Sequence, residues 1–145
     1  MSAIRVKKVR ENAIIPTYGS VEAAGADLYA CLESAVIIQP GETAWIPTGI
    51  ALEVPKGCAG LIYARSSLGT KRGLAPANKV GVVDSDYRGE IQVVLYNHSA
   101  ISQSVNHGER IAQFLITPVL TPEYIEIEEL SETDRGTGGF GSTGV

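Results

Sequence analysis

The 145-residue sequence predicts an all-β fold, a single barrel or sandwich of short strands. Three observations carry that expectation. β-Branched and apolar residues come in short runs cut by Gly and Pro, no apolar period near 3.6 residues is sustained, and at 44% hydrophobic the chain fills one core but not two.

In chain order, strands are expected at Ile4 to Val9, Ala35 to Ile38, Thr43 to Val54, Gly60 to Tyr63, Glu90 to Asn97, Arg110 to Val119 and Tyr124 to Glu128. In the first, Arg5, Lys7, Lys8 and Arg10 interleave with Ile4, Val6 and Val9, which reads as a charge-protected edge strand rather than a basic arm. Trp45 falls in a strand-like run and is expected to pack in the core or between subunits. The helical pattern is confined to a turn or two around Ser67 to Arg72. In the last segment Ile125 and Ile127 alternate with Glu126 and Glu128 behind Pro122, which favours a strand over a helix. After Leu130 the composition turns to Ser, Thr and Gly, so the barrel is assigned to residues 1–130 and a mobile arm to residues 131–145.

Charged residues make up 19% and the formal net charge is -4, which leaves no general basic surface for a nucleic-acid backbone. No apolar run is long enough to cross a bilayer and no signal-peptide layout opens the sequence, so a cytoplasmic protein without a membrane partner is expected. Cys31 and Cys58 lack metal-ligand or CxxC spacing and are read as buried free thiols. His98 and His107 fit no catalytic pattern and are assigned structural or surface roles.

Four segments can carry chemistry. GVVDSDYRGE at 81 to 90 runs from a strand into a turn, where Asp84 is either a turn former or a general base and Tyr87 offers a flat face for a ring. In AAGADLYA at 23 to 30, Asp27 stands in a small, apolar run and needs a partner. That partner is nearby backbone, an arginine, or the water shell of a Mg²⁺ ion, which uses few carboxylates when phosphates supply the rest. In ARSSLGTKRG at 64 to 73, Arg65, Ser66 and Ser67 suit phosphate oxygens or form an ordinary helix cap. The tail from Arg135 to Thr143 embeds an arginine and Phe140 among glycines, which favours a ligand-closing arm over a linker; it lacks the lysine and following helix of a Walker loop.

Taken in order, AGADL at 24 to 28, RSSLG at 65 to 69, GVVDSDYRGE at 81 to 90, GERIAQF at 108 to 114 and RGTGGFGSTG at 135 to 144 resemble the five motifs of the trimeric deoxyuridine triphosphatases. The resemblance implies a jelly-roll-like β-barrel, a homotrimer with sites between subunits, and an arm exchanged onto a neighbouring subunit. It implies Mg²⁺-dependent hydrolysis of dUTP to dUMP and pyrophosphate, an activity that keeps uracil out of DNA and supplies dUMP for thymidylate synthesis. Asp84 would activate the water that attacks the α-phosphorus, and Tyr87 would pack under the deoxyribose and exclude a 2′-hydroxyl. Asn78 would read the uracil edge, with Val82, Val83 and Gln92 completing that side of the substrate site. Arg65, Ser66 and Ser67 would contact phosphate, and Asp27 and Gln113 would hold waters of the metal, Gln113 also meeting substrate. From the arm, Arg135 would meet the γ-phosphate, Phe140 would stack over uracil, and Gly141, Ser142 and Thr143 would line the phosphates.

Small departures from the family pattern are Ser67 where glycine is common, Gly69 where alanine is frequent, and Val82 with Val83 for Thr/Ile or Ile/Ile. Two rivals remain in view. A deoxycytidine triphosphate deaminase would use a glutamate near the third motif, and Glu90 is the only one there; a non-catalytic nucleotide-binding β-trimer would have lost a base, a metal-side residue or the arm, all of which are present.

Overall fold

A computed structural model describes residues 3–141. In chain order the elements are β1 Val6–Lys8, β2 Thr17–Tyr18, β3 Ala26–Tyr29, β4 Val36–Ile38, β5 Thr43–Pro47, β6 Ile50–Leu52, β7 Cys58–Tyr63, α1 Ser66–Lys71, β8 Leu74–Pro76, β9 Gly81–Val83, β10 Gln92–Asn97, β11 Gln103–Val105 and β12 Arg110–Pro118. Every strand pairing is antiparallel, in four sheets ordered β1-β6, β4-β11, β5-β10-β8 and β2-β3-β12-β7-β9. All four send side chains into one core. Leu28, Ile38, Ile46, Ile50, Leu74, Leu95, Val105 and Ile111 are each at most 1% exposed, and the sheets close around them as the expected jelly-roll-like β-barrel. Burying each such aliphatic side chain contributes about 1.5–3 kcal/mol.

Three expectations need correction and one is narrowed. The single strand drawn from Thr43 to Val54 is two, because the chain turns at Gly49, whose φ of 70° and lack of a Cβ, which would stand 2.7 Å from Ala13 Cβ, let β5 pair with β10 and β6 with β1. Tyr124 to Glu128 is not a strand: it is exposed and has no partner strand among the described residues, and β12 ends the barrel at Pro118. Of the two places expected for Trp45, the core is excluded and packing between subunits is left. Ile46 takes the inward position of β5, so the alternation of a strand leaves Trp45 outside and 70% exposed. Cys31 is buried as expected, whereas Cys58 is only half-buried; both are free thiols. The edge strand β1 and the short helix α1 lie where they were expected, and His98 and His107 are exposed.

Candidate active site

The turn after β9 is built from its own residues. Antiparallel pairing sets Val83 opposite Gly60, Val82 opposite Leu61 and Gly81 opposite Ile62, so Gly81 and Val83 face inward and Val82 is 64% exposed. Asp84 follows at the turn with its side chain exposed, and its carbonyl accepts from Tyr87 N at 3.2 Å. Arg88 donates back to the carbonyls of Ser85 (2.8 Å) and Tyr87 (2.9 Å). The Tyr87 ring lies against Gly89, where a Cβ would stand 2.3 Å from the phenol oxygen, and its hydroxyl donates to Glu90 O at 3.0 Å. Upstream, Val80 N donates to Asn78 O at 2.8 Å across Lys79, whose φ is 66°. That is a γ-turn of the strained kind for a non-glycine residue. The result is a cleft of about 230 Å³ lined by Asn78, Val82, Val83, Tyr87 and Gln92, with exposed Trp45 at its wall.

A second polar group sits on the β3–β12 face. Register sets Gln113 of β12 opposite both Asp27 of β3 and Tyr63 of β7. Pairing shifts between Arg110 and Ala112, so Arg110 stands opposite Tyr29. A regular strand would send Arg110 and Gln113 to opposite faces, and the bulge puts both beside Asp27 and Tyr29. Asp27 is 8% exposed, and its carboxylate accepts from Arg65 Nε at 2.8 Å and Arg110 Nη1 at 3.4 Å. Of the partners the sequence left open for Asp27, the arginines are present. Gln113 Nε2 donates to Ala64 O at 2.9 Å, and its Oε1 occupies space that a Cβ on Gly25 would crowd at 2.9 Å.

Arg65 occupies the cap position of α1 in extended conformation and makes no side-chain cap bond, since a guanidinium has no acceptor to offer the helix N–H groups; it donates to Asp27 instead. The ordinary serine cap is therefore absent: Ser66 and Ser67 are the first helical residues and both are exposed. Arg65, Ser67, Lys71, Arg72 and Arg110 line a cleft of about 500 Å³ together with Tyr29 and Glu109. Its cations outnumber the one carboxylate, and Glu109 is already held by Arg72 Nη1 at 2.7 Å. Burial works to raise the Glu109 carboxyl, and the hydrogen bonds from Arg72 and Asn106 outweigh it, leaving the group below the usual glutamate range. The cleft thus has a cationic surplus suited to phosphate oxygens.

One chain does not bring these groups together. The two clefts share no lining residue. Val83 stands opposite Gly60, which sets Asp84 level with Ala59, whereas Arg65 comes after β7 has ended at Tyr63. Along a strand rising about 3.4 Å per residue those levels are roughly 20 Å apart. The described part of the tail, up to Gly141, joins neither cleft: Arg135 Nε donates to Gly138 O at 2.7 Å, Phe140 is fully exposed, and Gly141 has a φ of 87°. Ser142 and Thr143 lie outside the described residues.

A sequence model of the dUTPase family matches residues 11–144. The chain belongs to the dUTPase family. Among its relatives, the deoxyuridine 5'-triphosphate nucleotidohydrolase of Nautilia profundicola is 50% identical over 97% of this chain and 98% of its own length. That of Hydrogenobaculum sp. is 48% identical over 97% and 96%. The fold matches the dUTPase of Staphylococcus bacteriophage 80alpha with dUpNHpp at a TM-score of 0.91 and 29% identity, covering all of both chains. A mutant dUTPase from phage phi11 of S. aureus, described with a structural Mg(II) ion, matches at 0.80 and 26% identity over 90% of this chain and all of that one.

Sequence reasoning did not single out four residues that stand against the candidate site residues: Arg110 on Asp27, Gly25 behind Gln113, Gly89 under Tyr87, and Arg10, which ion-pairs Glu90. Arg110 lies inside the quoted fourth motif, so the motif itself was the available signal. Gly89 likewise lies inside the third motif, two residues from Tyr87, whereas the Gly25–Gln113 and Arg10–Glu90 contacts join distant segments. No group of three His, Cys, Asp or Glu side chains capable of holding a metal exists among the described residues, and no helix there is long and apolar enough to cross a membrane.

Proposed function

We propose that this chain hydrolyses dUTP to dUMP and pyrophosphate, with Asp84 as the general base. The observation that carries the reading is the cleft in which Asn78, Val82, Tyr87 and Gln92 converge, with exposed Asp84 next in the chain after the lining residue Val83. Asn78 and the backbone of the hairpin bond the uracil edge. Cytosine reverses donor and acceptor there and leaves buried groups unpaired, a penalty of up to about 10⁴-fold. The Tyr87 ring supports the sugar and leaves no space for a 2′-hydroxyl. Asp84 takes a proton from a water, the water oxygen bonds to the α-phosphorus, and the bond from that phosphorus to the bridging oxygen breaks in line, releasing pyrophosphate.

The residues present fit Mg²⁺ held through water. Two of the roughly four lone-pair sites of the Asp27 carboxylate take arginine protons, leaving others for water, and Gln113 presents Oε1 on the same face in the space Gly25 leaves. A bound Mg²⁺ would neutralise triphosphate charge and fix its conformation. Arg65, Ser66 and Ser67 bond phosphate oxygens, and Arg135, Phe140, Gly141, Ser142 and Thr143 of residues 131–145 close over the nucleotide and exclude bulk water.

The levels of Asp84 and Arg65, roughly 20 Å apart along the run of β7, support a homotrimer in which the base side of one chain faces the phosphate side of the next and an arm is exchanged between subunits. Glu90 speaks against deamination. Its carboxyl is held below the usual range first by the Arg10 hydrogen bond, against the opposing effect of burial, so it keeps its charge and is committed to structure.

The test is pyrophosphate release from dUTP with Mg²⁺, run beside dCTP, dTTP and UTP and repeated with Asp84→Asn. Release confined to dUTP, and slowed at least about 10²-fold by the substitution, is expected. Ammonia from dCTP would move the chain to the deaminase reading, and no turnover of any nucleotide to the non-catalytic trimer.

A further inference from the structure

Tyr87 owes its position to a carbonyl that is itself fixed from outside the cleft. Glu90 closes the hairpin and accepts the Tyr87 hydroxyl on its backbone oxygen at 3.0 Å. Its side chain takes both nitrogens of a guanidinium fork, Arg10 Nε at 2.6 Å and Nη2 at 3.0 Å, and also Gly49 N at 2.9 Å. The N-terminal segment is tied to the same point, since Val9 N and Arg10 N both donate to Gly49 O, at 2.8 and 3.3 Å. One residue further, Ile91 N donates to Ile50 O at 2.8 Å and Ile91 O accepts from Thr48 Oγ1 at 2.6 Å. Three segments distant in sequence thus meet at Glu90, and the phenol hangs from the carbonyl they immobilise. A bidentate fork constrains direction as well as distance, which a single ammonium does not do.

We infer that the Arg10–Glu90 pair is a positioning clamp for Tyr87 and so sets how strongly the site prefers deoxyribose over ribose. The inference rests on the proposed reading of the cleft as a deoxyuridine nucleotide site. Glu90 is among the residues lining the cleft and Arg10 is not, so the arginine reaches the site only through Glu90. The pair acts by denying the Tyr87 ring the small retreat that would admit a 2′-hydroxyl. Arg10 has a 47% exposed side chain, so its replacement opens no core cavity.

The experiment compares kcat/KM for dUTP and UTP, with melting temperatures, in wild type, Arg10→Lys, Arg10→Met and Glu90→Gln, and repeats Arg10→Met in a Tyr87→Phe background. The expected result is a fall of about tenfold in the dUTP-over-UTP ratio for Arg10→Met, the scale of one lost orienting hydrogen bond. Arg10→Lys should lose part of the ratio, and the Phe background should leave Arg10→Met little further to remove, because the hydroxyl tether is already gone. Lower melting temperatures with an unchanged ratio, or an undiminished effect in the Phe background, would overturn the clamp and leave the pair as a fold contact alone. If Arg10→Met and Glu90→Gln do not fold, Arg10→Lys decides by the same ratio. A wild type that neither turns over dUTP nor binds dUpNHpp overturns the nucleotide reading and the clamp with it, whereas an active wild type with indifferent variants overturns the clamp only.

Discussion

Two glycines show how the same absence of a side chain serves different ends. A Cβ on Gly60 would lie 2.2 Å from Phe114 Cζ, between β7 and β12 in the core, so Gly60→Ala overpacks it and should cost about 1–3 kcal/mol, read as a lower denaturation midpoint. On Gly89 the Cβ would meet the Tyr87 phenol, the far end of an exposed side chain. Gly89→Ala should leave the midpoint nearly unchanged while raising KM for dUTP by displacing the ring, and an unchanged KM would show that the ring does not carry the sugar. Glu90 adds a pH dependence with a defined sign. Its folded carboxyl, lowered first by the Arg10 hydrogen bond, binds a proton more weakly than the unfolded one at the ordinary 4.5. Its stabilisation is therefore complete above that value and is lost as pH falls through the lowered one. Glu90→Gln should flatten the acid limb of a melting-temperature profile below pH 4.5 relative to wild type, and parallel limbs would count against the pair as a contributor.

At the scale of elements, two irregularities place the polar groups. The bulge in β12 turns Arg110 to the face of Gln113, and neither its occurrence nor its position shows in the alternation of RIAQF, which reads as an ordinary strand. The γ-turn at Lys79 holds Asn78 at the mouth of the cleft in a conformation that costs a non-glycine residue of order 1–3 kcal/mol. Lys79→Gly relieves that strain and adds freedom to the unfolded chain, effects of similar size, so the melting temperature should move little. The turn should loosen, and discrimination of dUTP from dCTP should fall; an unaltered preference would show that Asn78 is positioned without the turn. The break of one apolar run into β5 and β6 has the same origin: Thr43 to Val54 reads as continuous, and only the contacts of Gly49 with Ala13 and Arg10 require the chain to change sheets there.

For the whole molecule, the arrangement of apolar surface and of the two clefts leads to one expectation. Trp45, Val82, Tyr124, Ile125, Ile127 and Leu130 are all more than half exposed on one chain. Light scattering should give three times the 15.3 kDa chain mass. Two variants, Asp84→Asn and Arg65→Met, each inactive alone, should recover activity when unfolded together and reassembled, because a mixed trimer pairs an intact base side with an intact phosphate side. Recovery in neither mixture nor dilution series, or a clean monomer, would place the whole site within one chain.

The sequence by itself determined the all-β class, the edge strand at Val6–Lys8, the short helix after Arg65 and the dUTPase family, because these depend on residue type, local period and the order of five short motifs. Only the tertiary structure decided which partner Asp27 takes, that Trp45 faces out, that 124–128 has no partner strand among the described residues, and that Glu90 belongs to Arg10. Each of those depends on which distant segment arrives opposite a residue. That is set by strand register, bulges and positive-φ turns, where a shift of one position sends a side chain to the other face of the sheet.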